Sequence, residues 1–353
     1  MKKDSLALVV GFTALAVAVL GVTPLGGATL DAVKGAVASK HSQATGPRGP
    51  RGRRGPRGRR GPRGFRGAKG PTGQRGATGA RGATGAKGDP TYKRTVLVSP
   101  VGTPGQNGTA LRNALASIMT ASATNPYLLK LEPAIYDVGT TRFNMKPNVD
   151  IEGSGAAHTV IKGVTPPLDP VDFYVGVVNG ATSAELRDLT VSATGGGVTI
   201  AIQSAVPLVL RNVEADASGS SAWTLWLHKG GTIEHSSIRS VSTCGSSCSV
   251  VEGVGIHEAD NFDQLEVLDT RIEVTGAGGA DYGIRGYATS GVVAVENSRI
   301  ITSTSGQKYA YEQGTSFRAV ASELDGAVNN FYGDNKCVGA YKADYTPLSA
   351  ICG

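Results

Sequence analysis

Glycine recurs at every third position from Gly46 to Gly88, through fifteen consecutive triplets without a register shift. Only glycine fits at the crowded axis where three polyproline II chains wind around one another, so this period predicts a collagen triple helix over residues 46–90. A disordered segment rich in Arg and Gly is the alternative, but such a segment has no reason to keep the period. We therefore expect three copies of the chain to associate through this stalk.

Charge is distributed unevenly along the chain. Of the formal net charge of +7, residues 1–45 contribute +2, the glycine-repeat block +12 and the remaining residues −7. The part long enough to bury a core is thus acidic, which excludes a uniformly basic nucleic-acid-binding domain. A hydrophobic content of 40% and a mean hydropathy near zero also exclude a polytopic membrane protein.

Arginine occupies the third position of each of the first seven triplets, at Arg48, Arg51, Arg54, Arg57, Arg60, Arg63 and Arg66. The block resembles bacterial collagen-like proteins, which lack prolyl hydroxylation, and a long guanidinium side chain can reach a carbonyl of a neighbouring chain. Three such chains would form a strongly cationic rod, so these arginines are candidate ligands for an anionic polymer of the cell envelope. The alternative is that they serve only to stabilise the triple helix.

The N-terminus carries an export signal. After Lys2 and Lys3, the uncharged apolar stretch Leu6–Val22 predicts either a cleaved signal peptide or an uncleaved membrane anchor within residues 1–28, followed by a linker over 29–45. The rest of the chain is then secreted or held at the cell surface, with a membrane contact if the segment is retained.

Four cysteines agree with an oxidising compartment. Cys244 and Cys248 lie in one short loop, and Cys337 and Cys352 bracket the end of the chain. Two local disulfides are therefore the favoured pairing of three. A zinc site of four cysteines is the competitor, although neither pair has the two-residue spacing of a metal knuckle.

The remaining residues predict an all-β fold, a right-handed parallel β-helix. Short apolar stretches recur at a period near 25 residues, which is typical of a solenoid. One motif begins with an apolar residue, continues with a few residues that include Asn, Asp or Ser, and ends with a second apolar residue. It occurs at Leu186–Leu189, Leu210–Val213, Ile233–Ile238, Val267–Ile272, Val295–Ile300 and Val320–Leu324.

Between these motifs lies a second ladder of apolar and aromatic strands. Its members are 198–202, 222–227, 255–256, 282–284 and 309–311. We expect the β-helix over 121–330, an N-terminal cap over 91–120 and a disulfide-closed C-terminal cap over 331–353. Within the first cap, an amphipathic helix is predicted after the turn at Asn107–Thr109, burying Leu111, Leu115, Ile118 and Met119.

The segment Tyr127–Gly163 resembles the opening coils of the pectin-lyase-like superfamily. Its phrases KPNVDIEG, from Lys146, and TVIKG, from Thr159, are similar to the start of pectin methylesterase β-helices. This resemblance implies the fold. It does not by itself imply the chemistry.

Catalytic residues are not clearly marked. VDFYVG, from Val171, resembles the phrase that carries the nucleophilic Asp of pectin methylesterases, which makes Asp172 a candidate. However, the Gln-Asp-Thr and Arg-Pro-Trp phrases of that family and the polygalacturonase phrases are missing from the sequence. The best acidic cluster could serve in catalysis or hold calcium; it contains Glu252, Glu258, Asp260 and Asp263, with His257 and Arg285 nearby in adjacent coils. The alternative is a solvated rim, and no cofactor is otherwise expected.

Aromatic side chains are the better functional candidates. Trp226, Tyr282 and Tyr287 could present ring faces to sugars. Strict alternation along the strand places Trp223 and Trp226 on opposite faces, one in the core and one outward. The sequence thus favours an exported, trimeric, stalked surface protein whose head binds glycan or another surface. A polysaccharide lyase or esterase on a stalk, and a tail-fibre-like protein, are the alternatives.

Overall fold

The computed structural model describes Tyr92 and residues 94–353, apart from 166–174, 196, 244–251, 261, 277–278, 304–305 and 332. All of them belong to one unit, Gly82–Gly353. The elements, in chain order, are β1 (Arg94–Val98), α1 (Pro104–Ser117), β2 (Tyr127–Leu131), β3 (Ala134–Asp137), β4 (Phe143–Asn144), β5 (Val149–Glu152), β6 (Thr159–Val164), β7 (Val178–Asn179), β8 (Glu185–Thr194), β9 (Val198–Thr199), β10 (Ile202–Ser204), β11 (Leu208–Gly219), β12 (Ser221–Leu227), β13 (Gly231–Glu234), β14 (Ser237–Ser242), β15 (Glu252–Glu258), β16 (Gln264–Leu268), β17 (Arg271–Thr275), β18 (Ala280–Gly286), β19 (Val292–Glu296), β20 (Arg299–Ser303), β21 (Lys308–Gln313), β22 (Ser316–Val320), β23 (Glu323–Asp325), β24 (Ala327–Asn330) and β25 (Asn335–Val338).

The strands form parallel coils, and the predicted parallel β-helix is confirmed. In each regular coil the chain passes through three strands, for example β13, β14 and β15, and each strand pairs in parallel with its counterpart one coil later. The first two strands of every coil belong to a 16-stranded sheet, which we call the first sheet. The third belongs to a 9-stranded second sheet, which contains all the strands of the predicted second ladder.

Apolar side chains of successive coils stack in register inside the solenoid. Ile238, Ile272, Ile300 and Leu324 form one such stack, as the repeated motif predicts. One assignment within the motif is wrong. Ala319, and not Val320, pairs with Val295 of the preceding coil and is buried, whereas Val320 is exposed.

The corner between the first two strands of a coil explains the polar residues of the motif. The residue at this corner has a positive φ in six successive coils, at Asp188, Asn212, His235, Asp269, Asn297 and Ala321. Asn and Asp tolerate this left-handed conformation better than other residues with a β-carbon. The next residue is a buried Ser or Thr in the later coils, and the Ser298 hydroxyl accepts from the Thr270 N–H at 3.0 Å. Hydroxyls thus link one coil to the next within the wall of the solenoid.

Helix α1 packs at the start of the solenoid and begins earlier than predicted. Thr103 caps it through a capping box with Gln106, and Pro104 occupies the first turn. Leu111 and Leu115 are buried as expected, but Met119 lies beyond the helix and is exposed.

Asn107 and Gly108, predicted as a turn, are inside α1. A β-carbon at Gly108 would lie 1.9 Å from the carbonyl oxygen of Asp137, so glycine is required for the helix to approach β3 this closely.

At the other end, Cys337 and Cys352 form the predicted disulfide, which excludes both as zinc ligands. The strand β25 adds to β22, and the Cys337 N–H donates to the carbonyl of Ala350, so the cap is tied to the last coil. The pair Cys244 and Cys248, the stalk arginines and the N-terminal apolar stretch lie outside the described residues. Within the described ranges, no helix is long and apolar enough to cross a membrane.

Candidate functional site

Strands of the second sheet bend in the middle, and this bend decides which side chains face outward. In β12, Thr224 and Leu225 both point into the solenoid: the Thr224 hydroxyl donates to the carbonyl of Arg239 at 2.7 Å, and Leu225 belongs to the core. Trp223 and Trp226 are therefore both on the outer side, where their rings stack at 5.1 Å between centroids. The prediction that one of them lies in the core is wrong, because alternation does not continue through a bend.

The same bend repeats in β15, β18 and β21 and aligns an outward row of side chains. Trp226, His257, Arg285 and Glu312 are neighbours in register on four consecutive strands. Neighbouring strands are about 4.8 Å apart, so each side chain of the row lies beside the next. A second row, three residues earlier on each strand, contains Trp223, Val254, Tyr282 and Tyr309.

His257 lies under a cover of aromatic rings. Its ring stacks on Trp226 at 4.1 Å between centroids and on Trp223 at 5.0 Å, and Tyr287 meets it edge-on at 5.5 Å. Neither ring nitrogen makes a hydrogen bond to any residue that the structure describes. Burial, aided by the positive charge of Arg285, lowers the pKa of His257 to about 3, so this imidazole is neutral.

Arg285 is fixed by two carboxylates and two tyrosines. It forms ion pairs with Glu252 and, at 3.5 Å, with Glu312. Its guanidinium lies 4.1 Å from the ring centroid of Tyr282 and 5.8 Å from that of Tyr287. Burial acts to lower the pKa of Arg285, but the hydrogen bond and charge of Glu252 outweigh it and raise the pKa. The arginine is thus a permanent cation in a fixed orientation.

An open cavity of about 410 Å³ begins at this arginine. Its lining residues are Arg285, Gly286, Tyr287, Ala288, Thr289, Glu312, Gly314 and Phe331. Two of them are exposed aromatic residues: Tyr287 is 67% and Phe331 55% accessible to solvent. The cavity therefore combines accessible ring faces with a charged pair whose donors and acceptors are already oriented. We call it the aromatic cavity.

The predicted ligand-binding aromatics are only partly available. Trp226 and Tyr282 are each 6% exposed, so neither offers the open ring face that sugar stacking requires. The indole N–H of Trp226 donates to His228 at 2.9 Å. Tyr287 keeps the predicted exposure. Phe331 and Glu312 were not predicted as site residues. A sequence signal for Glu312 exists: it follows Tyr309 by three residues, just as Arg285 follows Tyr282 by three residues in the preceding coil.

The predicted catalytic residues are not brought together. Glu258 is completely buried and points into the solenoid, between Leu227 and Gly286 in register, so a solvated rim is wrong for this residue. Arg285 points outward from the same sheet. Asp260 pairs with the Nδ1 of His228 at 3.0 Å, and Asp172 lies outside the described residues.

A metal site is not apparent in this part of the chain. Among the residues that the structure describes, no three His, Cys, Asp or Glu side chains converge as a metal-binding group. Calcium binding by the acidic cluster stays a prediction.

Comparison with known proteins finds a family match for the glycine-repeat block and solved structures similar in fold to the rest of the chain. Residues 42–93 match the collagen triple helix repeat family, and no curated protein sequence matches the chain. The chain is similar to a pectin methylesterase from carrot, with 12% identity and a TM-score of 0.47 over 73% of this chain and 85% of that one.

Two other solved structures are more distant in shape. A pectin methylesterase from the rice weevil matches with 12% identity and a TM-score of 0.36, over 75% of this chain and 84% of that one. A mannuronan C-5 epimerase module from Azotobacter vinelandii matches with 13% identity and a TM-score of 0.22, over 69% and 96%. Such identities do not carry an activity from those enzymes to this chain.

Proposed function

We propose that this protein is an exported, trimeric surface protein with a cationic collagen stalk and a β-helix head that binds carbohydrate. The observation that carries the binding role is the aromatic cavity, in which exposed Tyr287 and Phe331 flank the fixed Arg285–Glu312 pair. Ring faces pack against the apolar faces of sugars, and a few oriented polar groups then select hydroxyl or carboxylate groups. The cavity volume of about 410 Å³ is within the range of small-ligand sites.

Binding is better supported than hydrolysis or elimination. Acid–base attack on a glycoside uses a pair of carboxyl groups with separate roles. At the aromatic cavity, Glu252 and Glu312 both form ion pairs with Arg285, so both carboxyl groups are already engaged. Glu258, the nearest acid on the same strand as His257, faces the interior. This arrangement orients a ligand but supplies no free acid.

The stalk supports the remaining parts of the proposal. The collagen repeat at residues 42–93 supports assembly of three chains, and collagen rods and displayed solenoids suit an extracellular or surface location. Arginine at seven successive third positions gives the rod a dense positive charge. We infer that the rod contacts an anionic polymer of the envelope while the head stays available for carbohydrate.

The aromatic cavity predicts a specific loss of binding. Changing Tyr287 to Ala in the full chain is expected to weaken binding to the best glycan of an immobilised polysaccharide panel by about tenfold. The expected size follows stacking of nucleic-acid bases on aromatic side chains, which is worth roughly 1–3 kcal/mol per base. Tyr345→Ala, which removes another exposed tyrosine from the C-terminal cap, is the matched control and should bind as the unchanged protein does.

Two results would contradict this function. Equal binding by the Tyr287→Ala and Tyr345→Ala variants would remove the aromatic cavity from recognition. Release of unsaturated or deacetylated sugar from pectin, alginate or acetylated glycans, with or without calcium, would show an enzyme in place of a binding protein.

The stalk makes a separate prediction about salt. Binding of the full chain to polyphosphate should weaken at least about tenfold between 50 and 200 mM salt, because each phosphate contact releases counterions. A variant with Gln at the seven arginine positions loses seven of the positive charges of this block, which lowers its charge from +12 to +5, so it should bind more weakly and with a smaller salt dependence. Light scattering and the cooperative melting of the triple helix in circular dichroism would show that the variant is still a trimer. A monomeric unchanged protein, or binding insensitive to salt, would defeat the proposal for the stalk.

A further inference from the structure

A second cavity lies farther along the outward row, on the earlier coils. Asn144 of β4, Asn179 of β7 and Gln203 of β10 are neighbours in register, and Gln203 pairs in turn with Trp226. These three amides, with Gly180 and Ala205, line a cavity of about 320 Å³. We call it the amide cavity. Gln203 and Arg285 are three strands apart, so roughly 14 Å separates the two cavities along the row.

Two acceptor atoms of the amide cavity are without partners. The Asn179 Nδ2 group donates to the Asn144 Oδ1 at 2.7 Å, but the Asn179 Oδ1 and the Gln203 Oε1 bond to no residue that the structure describes. Gln203 is only 9% exposed. A buried acceptor left unpaired costs about 1–3 kcal/mol, so a ligand that donates to it recovers this energy. Terminal amide torsions are soft, so we expect a bound ligand to draw each oxygen toward the cavity, at Asn179 in exchange for the hydrogen bond to Asn144.

The chemistry of the lining restricts what the ligand can be. None of the described residues that line the amide cavity is Asp, Glu, Lys, Arg or His. A charged group would therefore lose its hydration without gaining an opposite charge. An uncharged ligand with several O–H donors suits two free amide oxygens and an amide row with remaining donors.

We propose that the amide cavity binds an uncharged, hydroxyl-rich sugar unit through Gln203 and Asn179. The ligand class rests on the proposed function, but the residues and the cavity are different from those of the aromatic cavity. The head then has two carbohydrate subsites on one face, of which the one at Gln203 selects neutral sugars and the one at Arg285 offers an oriented Arg–Glu pair.

Neutral oligosaccharides test this site without interference from the stalk, because they have no charge for the arginines to attract. The probes are maltohexaose, cellohexaose, xylohexaose and mannohexaose, titrated into the full chain by calorimetry. For the probe that binds best, Gln203→Met and Asn179→Ala are each expected to lower the affinity about tenfold. Gln264→Met replaces an exposed glutamine of the first sheet and should have no effect.

The outcomes separate this proposal from the proposed function. The proposal is overturned if none of the four probes binds at millimolar concentration, or if both amide variants bind as the unchanged protein does. In either case a loss of glycan binding in Tyr287→Ala would leave the proposed function standing. Asn179 is only half-buried, so its variant decides the question even if circular dichroism shows that Gln203→Met is misfolded.

Discussion

Replacing Glu258 by Gln is expected to raise the free energy of unfolding at pH 7, and by more at pH 7 than at pH 5. Glu258 ends β15 with its side chain inside the solenoid, and it is completely buried. Neither carboxyl oxygen makes a hydrogen bond of normal geometry to a described residue. Burial raises the pKa of Glu258 well above its ordinary value of 4.5, although the neighbouring Gly230 N–H acts in the opposite direction.

The direction in which Glu258 changes the stability with pH follows from proton binding. The folded protein keeps a proton on Glu258 that the unfolded chain releases above pH 4.5, so folding takes up a proton over this range. Each pH unit above 4.5 then costs about 1.4 kcal/mol of stability, until the pH reaches the folded pKa. The contribution of Glu258 is therefore complete below pH 4.5 and is lost as the pH rises. The Gln side chain has a shape similar to that of Glu, can donate and accept hydrogen bonds, and does not titrate.

Urea unfolding followed by tryptophan fluorescence at pH 5, 6, 7 and 8 measures this effect. Asp281 also has a raised pKa, of about 6, because of burial, so the unchanged protein loses stability from more than one group as the pH rises. The difference between the unchanged protein and Glu258→Gln isolates Glu258, and it should grow with pH. Glu296→Gln, at an exposed site, should change stability by less than about 0.5 kcal/mol. Parallel pH curves for the two proteins would show that Glu258 is ionised in the fold.

Solenoid architecture could be predicted from the sequence because each coil repeats the same local requirements. Apolar residues such as Ile272 and Ile300 recur at the spacing of one coil and stack, and Asn or Asp marks the left-handed corner between strands. His235 and Ala321 occupy the same corner without that marker. Their positive φ, and not their residue type, identifies them as corner residues.

The candidate site was harder to predict, since it depends on a bend inside a strand. Alternation assigns Trp223 and Trp226 to opposite faces, but two successive inward residues at the bend return both to the outer face. The same bend turns Glu258 inward, although it is an ionisable residue next to His257. Phe331 comes from a later coil, and only the stacking of coils places it beside Tyr287. Local sequence patterns contain neither fact.

Lowering the pH should destabilise the head through His257, whereas it stabilises the head through Glu258. His257 is neutral and buried, and its pKa is lowered from the ordinary 6.5 to about 3. The unfolded chain binds a proton at this residue below pH 6.5 and the folded protein does not, so the contribution of His257 is present above pH 6.5 and falls with decreasing pH. Between pH 6.5 and pH 4 the loss amounts to about 3 kcal/mol.

His257→Phe removes this titration while retaining a flat ring against Trp226. Its free energy of unfolding is expected to exceed that of the unchanged protein by about 3 kcal/mol more at pH 4 than at pH 7. A better or poorer fit of the larger ring shifts both values together, so the change with pH is the diagnostic quantity. His158→Phe, at an exposed histidine, should leave the pH dependence as it is.

Together the three buried groups Glu258, Asp281 and His257 favour maximal stability at mildly acidic pH. Glu258 and Asp281 favour folding as the pH falls toward 4, whereas His257 opposes it below 6.5. The double variant Glu258→Gln with His257→Phe should therefore show a flatter pH profile than either single variant. His257 and Glu258 are adjacent on β15 but face opposite sides of the sheet, so their effects should add to within about 0.5 kcal/mol. A larger deviation would mean that the interior acid and the outer aromatic cluster sense each other's charge through the strand.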